Sequence, residues 1–205
     1  MADITIIGAG NMGAAIAAVA VAGGNAVQVL ARDAAKAAAA NPSASAGVIG
    51  DPITGDIVVL AVPFGAVPAV VAELGSQLDG KILVDISNPV DFSTFDSLVV
   101  PADGSAAQEI AALVPSAKVL KAFNTNFAAT LHSGRVGDEG TTVIVAGDDV
   151  EAKAALIGAL AGSGVAAVDG GSLRRARELE ALGFLQLTLA AGEKTSWTSG
   201  FALAG

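Results

Sequence analysis

Asp3-Ile4-Thr5-Ile6-Ile7-Gly8-Ala9-Gly10-Asn11-Met12-Gly13 decides how the rest of the chain is read. Ile4 to Ile7 is a short β-branched run that stops at glycine, and from Asn11 onward Met12, Ile16, Val19 and Gly23 fall on one stripe of an alanine-rich helix. The order is strand, glycine turn, helix. Gly23-Gly24 stops the helix and Val27-Gln28-Val29-Leu30 resumes as a second strand, completing a βαβ unit. Each glycine answers a separate need: Gly8 a tight turn, Gly10 a close approach of backbone to a diphosphate, and Gly13 contact between helix and strand. The helix amino terminus adds free N–H groups and a partial positive charge. A bare glycine turn is the simpler alternative, and the flanking strand and helix argue against it.

The same alternation continues outward from this unit. Helices are expected at 34–40, 66–74, 105–113, 150–161 and 173–191, and strands at 56–62, 81–86, 118–122, 142–146 and 165–168, with room for a last short strand at 201–203. Strands this apolar belong in a sheet covered on both faces. The expected fold is therefore α/β, a single Rossmann-type, doubly wound and mostly parallel sheet over residues 1–205, with a short C-terminal helix and tail at 172–205. That helix turns apolar on nearly every side from Leu182 through Leu189, which predicts a homodimer built on it; burial in the chain's own core is the alternative. The irregular stretch Asn88 to Gly104 is expected over the cofactor end of the sheet.

The chain has 205 residues, 53% hydrophobic and 15% charged, enough apolar material for one core and too little charge for disorder. A second substrate-binding domain has almost no room. Eleven basic residues against 20 acidic ones give a formal charge of −9, which repels phosphate backbones and anionic lipid. Neither nucleic acid nor a membrane surface is an expected partner. Without cysteine, disulfides, thiolate metal sites and thiol nucleophiles are excluded, and redox chemistry must come from a cofactor. The uncharged stretch Gly13 to Ala31 is mostly alanine and glycine and is broken at Gly23-Gly24-Asn25, so no transmembrane helix is expected. The amino terminus has no basic region ahead of its strand, which argues against a signal peptide and for a cytoplasmic protein.

The end of the second strand selects the dinucleotide, because an acid there grips an adenosine 2′-hydroxyl whereas cations accept a 2′-phosphate. Here it reads Leu30-Ala31-Arg32-Asp33, with Lys36 a helical turn on. Arg32 offers a planar fork and Lys36 a point charge, so NADP is favoured over NAD. An ion pair between Arg32 and Asp33 or another carboxylate is the bland alternative.

Ala61-Val62-Pro63, with Ala66 beyond, and Ser87-Asn88-Pro89 stand at carboxyl ends of strands, where α/β sheets bind ligands. Asn88 can reach a nicotinamide carboxamide or ribose; the prolines serve equally to end strands. Lys121-Ala122-Phe123-Asn124-Thr125-Asn126-Phe127-Ala128 brings amides to the same edge. Asn124 is expected toward the nicotinamide, with Asn126, Phe127 and Ala128 lining a second, flatter pocket, unless Asn and Thr only cap the next helix. Trp197, the only tryptophan, either closes that pocket or anchors the tail.

Acid–base chemistry has little to draw on. There is one histidine, His132, read as a surface loop residue beside Ser133-Gly134, no tyrosine, and no spacing typical of a metal site or proton relay. No catalytic side chain and no metal are expected. Hydride transfer between two bound redox cofactors relies on proximity and orientation, whereas carbonyl reduction needs a positioned proton donor.

Taken in order, the glycine turn, Ala31-Arg32-Asp33 with Lys36, Ala61-Val62-Pro63, Ser87-Asn88-Pro89, Lys121-Ala122-Phe123-Asn124-Thr125 and Asp169-Gly170-Gly171-Ser172-Leu173 resemble the coenzyme F420-dependent NADP oxidoreductases and their bacterial relatives over nearly the whole chain. The resemblance implies NADP over Gly8 to Gly13, its 2′-phosphate at Arg32 and Lys36, and its nicotinamide near Val62, Pro63, Ala66 and Pro89. It also implies a deazaflavin ring of coenzyme F420 stacked on the nicotinamide, in a pocket of Asn126, Phe127 and Ala128 helped by the last helix and tail. Members of the family tend to carry a small apolar residue and a proline where this chain has Asn126-Phe127, which keeps a flavin, quinone or metal chelate open as the acceptor.

The expected function is hydride transfer between NADP(H) and a flat redox partner. A non-catalytic NADPH-binding redox sensor competes with it, and follows if Asn126 and Phe127 fill the space above the nicotinamide. Reduction of a cyclic imine such as pyrroline-carboxylate needs a helical dimerisation domain that 205 residues do not hold.

Overall fold

A computed structural model describes residues 1–204; Gly205, the last residue of the expected tail, lies outside the described residues. The chain runs through β1 (Asp3–Ile7), α1 (Asn11–Ala22), β2 (Ala26–Ala31), α2 (Ala34–Ala40), β3 (Ser45–Val48), β4 (Ile57–Leu60) and α3 (Val67–Leu74). β5 (Ile82–Asp85), α4 (Ala106–Leu113), β6 (Lys118–Lys121) and α5 (Ala128–Ser133) follow. A small hairpin, β7 (Arg135–Val136) and β8 (Glu139–Gly140), then leads to β9 (Thr142–Gly147), α6 (Val150–Leu160), β10 (Ala166–Gly171) and α7 (Ala176–Ala191).

One sheet has the order β10-β9-β6-β5-β4-β1-β2-β3. Its parallel part, β3-β2-β1-β4-β5-β6, is the strand order of a Rossmann dinucleotide sheet, so the expected class holds. β9 pairs antiparallel with β6, Leu120 opposite Gly147, and β10 follows β9 in parallel. The last two strands therefore run against the other six.

Successive strand residues point to opposite faces. Val59, Val84 and Leu120 pack with Ile16, Val19 and Leu156 from α1 and α6 on one face. Val58, Leu83 and Val119 pack with Val67, Val71 and Ile110 from α3 and α4 on the other. Burial on both faces is why β4 reads as an unbroken apolar run.

The structure departs from the sequence reading in several places. Apolar patterning does not mark β3, Ser45-Ala46-Gly47-Val48, which is a strand because its backbone pairs with Gln28 to Ala31. Residues 201–203 form no strand: their backbone meets no sheet edge, and the Phe201 N–H donates instead to Gln186 Oε1 at 3.3 Å. The last helix begins with a short 3-10 turn at Leu173–Arg175 and is not wrapped in apolar contacts. Its inward face carries Ala176, Leu179, Glu180, Gly183, Gln186 and Ala190, while Leu185 is 50% exposed. Two polar residues, Glu180 and Gln186, are thus buried among small and apolar ones, while Leu185 faces out. Among the described residues no helix is long and apolar enough to cross a membrane.

Candidate functional site

Three adjoining cavities follow the carboxyl ends of the parallel strands. The first begins at Gly8, whose φ of +117° suits glycine alone and where a Cβ would stand 2.2 Å from the Ala61 carbonyl oxygen. At Gly13, buried and behind the cavity wall, a Cβ would stand 2.0 Å from the Gly8 carbonyl oxygen. Gly10 differs: a Cβ there would meet nothing within 4 Å, and the open space beside it is what diphosphate oxygens require. No side chain caps α1 at Gly10, so its first-turn N–H groups remain available to an anion.

Ala9, Arg32, Asp33, Lys36 and Ala66 line the same cavity. Asp33 does not pair with Arg32. Its Oδ1 accepts from the N–H of Ala35 at 2.8 Å and of Lys36 at 3.4 Å, which caps α2. Among the described residues Arg32 and Lys36 make no ion pair, and both are exposed. Two uncommitted cations beside an uncapped helix end concentrate positive charge at one place in an acidic chain.

The second cavity shares Gly10, Ala61, Val62 and Pro63 with the first and extends past Asn11 and Met12 to Asn88. Phe92, from the irregular 88–104 stretch, also lines it, so that stretch does reach the cleft. Pro89 lies buried behind Asn88 and lines none of the three cavities; its carbonyl accepts the Val99 N–H at 2.7 Å and so folds the stretch back.

The third cavity, about 400 Å³, is lined by Asn124, Asn126, Phe127, Ala128 and Trp197 and shares Asn11, Met12, Ile86, Asn88 and Leu187 with the second. That volume falls in the range of small-molecule sites. The Phe127 and Trp197 rings stand 5.1 Å apart at 53°. Phe123 turns the chain into this wall with φ +62°, a left-handed conformation costly for a bulky residue and held here by burial.

The amides do not cap α5, whose N-cap is Phe127 with no side-chain bond. Asn124 Nδ2 donates to the Leu179 carbonyl at 2.8 Å and to Asn88 Oδ1 at 3.0 Å, and Asn88 Nδ2 donates to the Asn124 carbonyl at 2.8 Å. Asn126 Nδ2 donates to the Thr142 carbonyl at 3.0 Å. Ser87 Oγ, Asn124 Oδ1 and Asn126 Oδ1 are buried without a partner in the protein. Unmatched polar atoms gathered at one sheet edge fit a site for a polar ligand. His132 is exposed, in the last turn of α5 rather than in a loop.

Sequence reasoning overlooked a charged cluster behind the amides. Lys121, Asp85 and Glu180 are fully buried, with Lys121 Nζ 2.6 Å from Asp85 Oδ2 and 2.8 Å from Glu180 Oε1. Burial pushes the Glu180 carboxyl above its ordinary value, against the pull of the Lys121 ammonium and the Ala106 N–H. Opposite charges closing two neighbouring apolar strands, with Asp85 and Lys121 in register, were a readable signal. Glu180 offered none, because it sits in a run of charges that reads as solvated.

Residues 3–89 match the family described as NADP oxidoreductase, coenzyme F420-dependent. The chain is 38% identical over 109 residues to the Metalloreductase STEAP3 of Rattus norvegicus, covering 53% of this chain and 21% of that protein. It is 33% identical over 133 residues to the F420-dependent NADP reductase of Methanocaldococcus jannaschii, covering 62% of this chain and 59% of that protein. The match thus spans less than two thirds of the length of either curated relative. A solved structure from Arthrobacter sp. FB24, provisionally named an F420-dependent NADP-reductase, aligns over 100% of both chains with a TM-score of 0.85 and 28% identity. The glycine turn, the Rossmann strand order and these likenesses agree: residues 3–89 are similar to the coenzyme F420-dependent NADP oxidoreductase family, and the fold as a whole is that of the Arthrobacter structure.

Proposed function

We propose that this protein transfers a hydride between NADP(H) and a flat redox acceptor. The observation that carries the reading is the open third cavity, joined to the second through Asn11, Met12, Ile86, Asn88 and Leu187. Gly8 to Gly13 would hold the diphosphate, Arg32 and Lys36 the 2′-phosphate, and Val62, Pro63, Asn88 and Asn124 would border the nicotinamide. Asn126, Phe127, Ala128 and Trp197 would seat the acceptor ring. When bound, NADPH supplies the hydride, and solvent supplies the proton that completes reduction of a flavin-type acceptor. The chain's own work is to hold two ring faces together and exclude water, so it needs no acid or base side chain.

A pure sensor would require Asn126 and Phe127 to occupy the acceptor space, whereas they form the wall of a cavity of about 400 Å³. Coenzyme F420 heads the acceptor classes because the M. jannaschii relative is named for it; a neutral flavin ring is equally suited to a lining without charged side chains. The proposal includes a homodimer, supported by Leu185, half exposed on α7, and the cytoplasmic location expected from the sequence.

Stopped-flow absorbance at the nicotinamide band, with NADPH and F420, FMN or menadione, tests the reading. Decay with at least one acceptor is expected. Tight NADPH binding without turnover of any acceptor would leave the sensor in its place.

A further inference from the structure

Glu180, Lys121 and Asp85 line none of the three cavities, and the function proposed above leaves them without a part. Buried ion clusters are seldom the most stable way to fill a core, so stability alone is a weak reason for them. Their hydrogen bonds point elsewhere. Lys121 Nζ donates to the Ser87 carbonyl at 2.6 Å, and Asp85 Oδ1 accepts the Ser87 N–H at 2.9 Å. Both backbone groups of Ser87 are thereby held, and the next residue is Asn88. Glu180 also accepts the N–H groups of Ala106 at 2.9 Å and Ala107 at 3.3 Å, tying α7 to the start of α4.

One helical turn on from Glu180, Gly183 lies against the amide pair. A Cβ at Gly183 would stand 2.4 Å from Asn88 Oδ1 and 2.8 Å from the Asn124 carbonyl oxygen, so α7 approaches as closely as a helix can. Just before Glu180, the Leu179 carbonyl accepts from Asn124 Nδ2. The helix thus grips the charged cluster and the amide pair together.

We propose that Lys121, Asp85 and Glu180 are positioning residues, which seat α7 and fix the Ser87 peptide so that Asn88 and Asn124 are held at the nicotinamide end of the cleft. The assignment rests on the NADP-dependent reading of that cleft.

Glu180→Gln keeps the side-chain shape and removes one charge; Glu178→Gln, exposed on the same helix, is the control. In the free protein, the side-chain amide resonances of Asn88 and Asn124, assigned with Asn88→Asp and Asn124→Asp, are expected to move in Glu180→Gln and exchange with solvent about tenfold faster or more. Glu178→Gln should leave them in place. The Glu180→Gln dissociation constant for NADPH is expected to stay within about threefold of wild type. Its single-turnover hydride transfer to FMN should fall by about ten- to a hundredfold. Parallel loss of binding and transfer would mark general loosening and count against the proposal, as would a folded variant whose amide signals stay at wild-type positions. If Glu180→Gln does not fold, Asp85→Asn takes its place in the same measurements. Wild-type protein that binds no NADPH overturns the proposed function but not this inference, which the amide signals still decide.

Discussion

Arg32 stands exposed at the end of β2 while its neighbour Asp33 is committed to capping α2. A guanidinium held by no carboxylate is free for a phosphate, and a charge-assisted bond of that kind contributes about 1.5–3 kcal/mol. Arg32→Glu is therefore expected to weaken NADPH binding by about ten- to a hundredfold while sparing NADH. Calorimetry with both dinucleotides checks it; equal loss for the two would remove the 2′-phosphate from the account. The glycines of the turn are legible at this same scale. Gly8 and Gly13 are demanded by contacts of 2.2 and 2.0 Å that any Cβ would make, and such local steric demands leave their mark in the sequence itself.

At the scale of elements, β10 is fastened to α6 by Lys153, whose Nζ donates to Asp169 Oδ1 at 2.7 Å and to the Gly171 carbonyl at 3.1 Å. The Lys153 ammonium, helped by the Gly171 N–H, holds the Asp169 carboxyl below its ordinary value of 3.8. A carboxyl that titrates lower in the folded than in the unfolded chain adds stability above its unfolded value and loses it as pH falls through the folded one. Asp169→Asn should thus melt at a lower temperature near neutral pH. Its difference from wild type should shrink as the pH drops below 3.8, in thermal scans across pH. For α7, Leu185→Glu is expected to convert a dimer to a monomer in light scattering behind size exclusion, with little change in melting temperature. An unaltered mass would move the interface elsewhere. Boundaries of elements were read well where a cap or glycine marks them, as Ser105 does for α4 and Asp149 for α6. β3 escaped because nothing in its own residues asks for a strand.

The whole molecule should report its ligand through stability. NADPH at about 100 times its Kd adds about 2.7 kcal/mol to a folded state that alone binds it. For a domain of this size that is a rise of roughly 5–10 °C in melting temperature, with a smaller rise for NADH. Identical shifts for the two would contradict NADP preference.

The sequence by itself determined the βαβ start, the glycine turn, the cations after β2 and the strand ends that form the cleft, because each depends on neighbours within a few residues. Tertiary structure alone decided that Lys121 meets Glu180, 59 positions away, and that Glu180 meets Ala106, 74 positions away. It also decided that α7 carries Glu180 and Gln186 on its buried face, since a charge reads as solvent-facing until the fold brings it a partner.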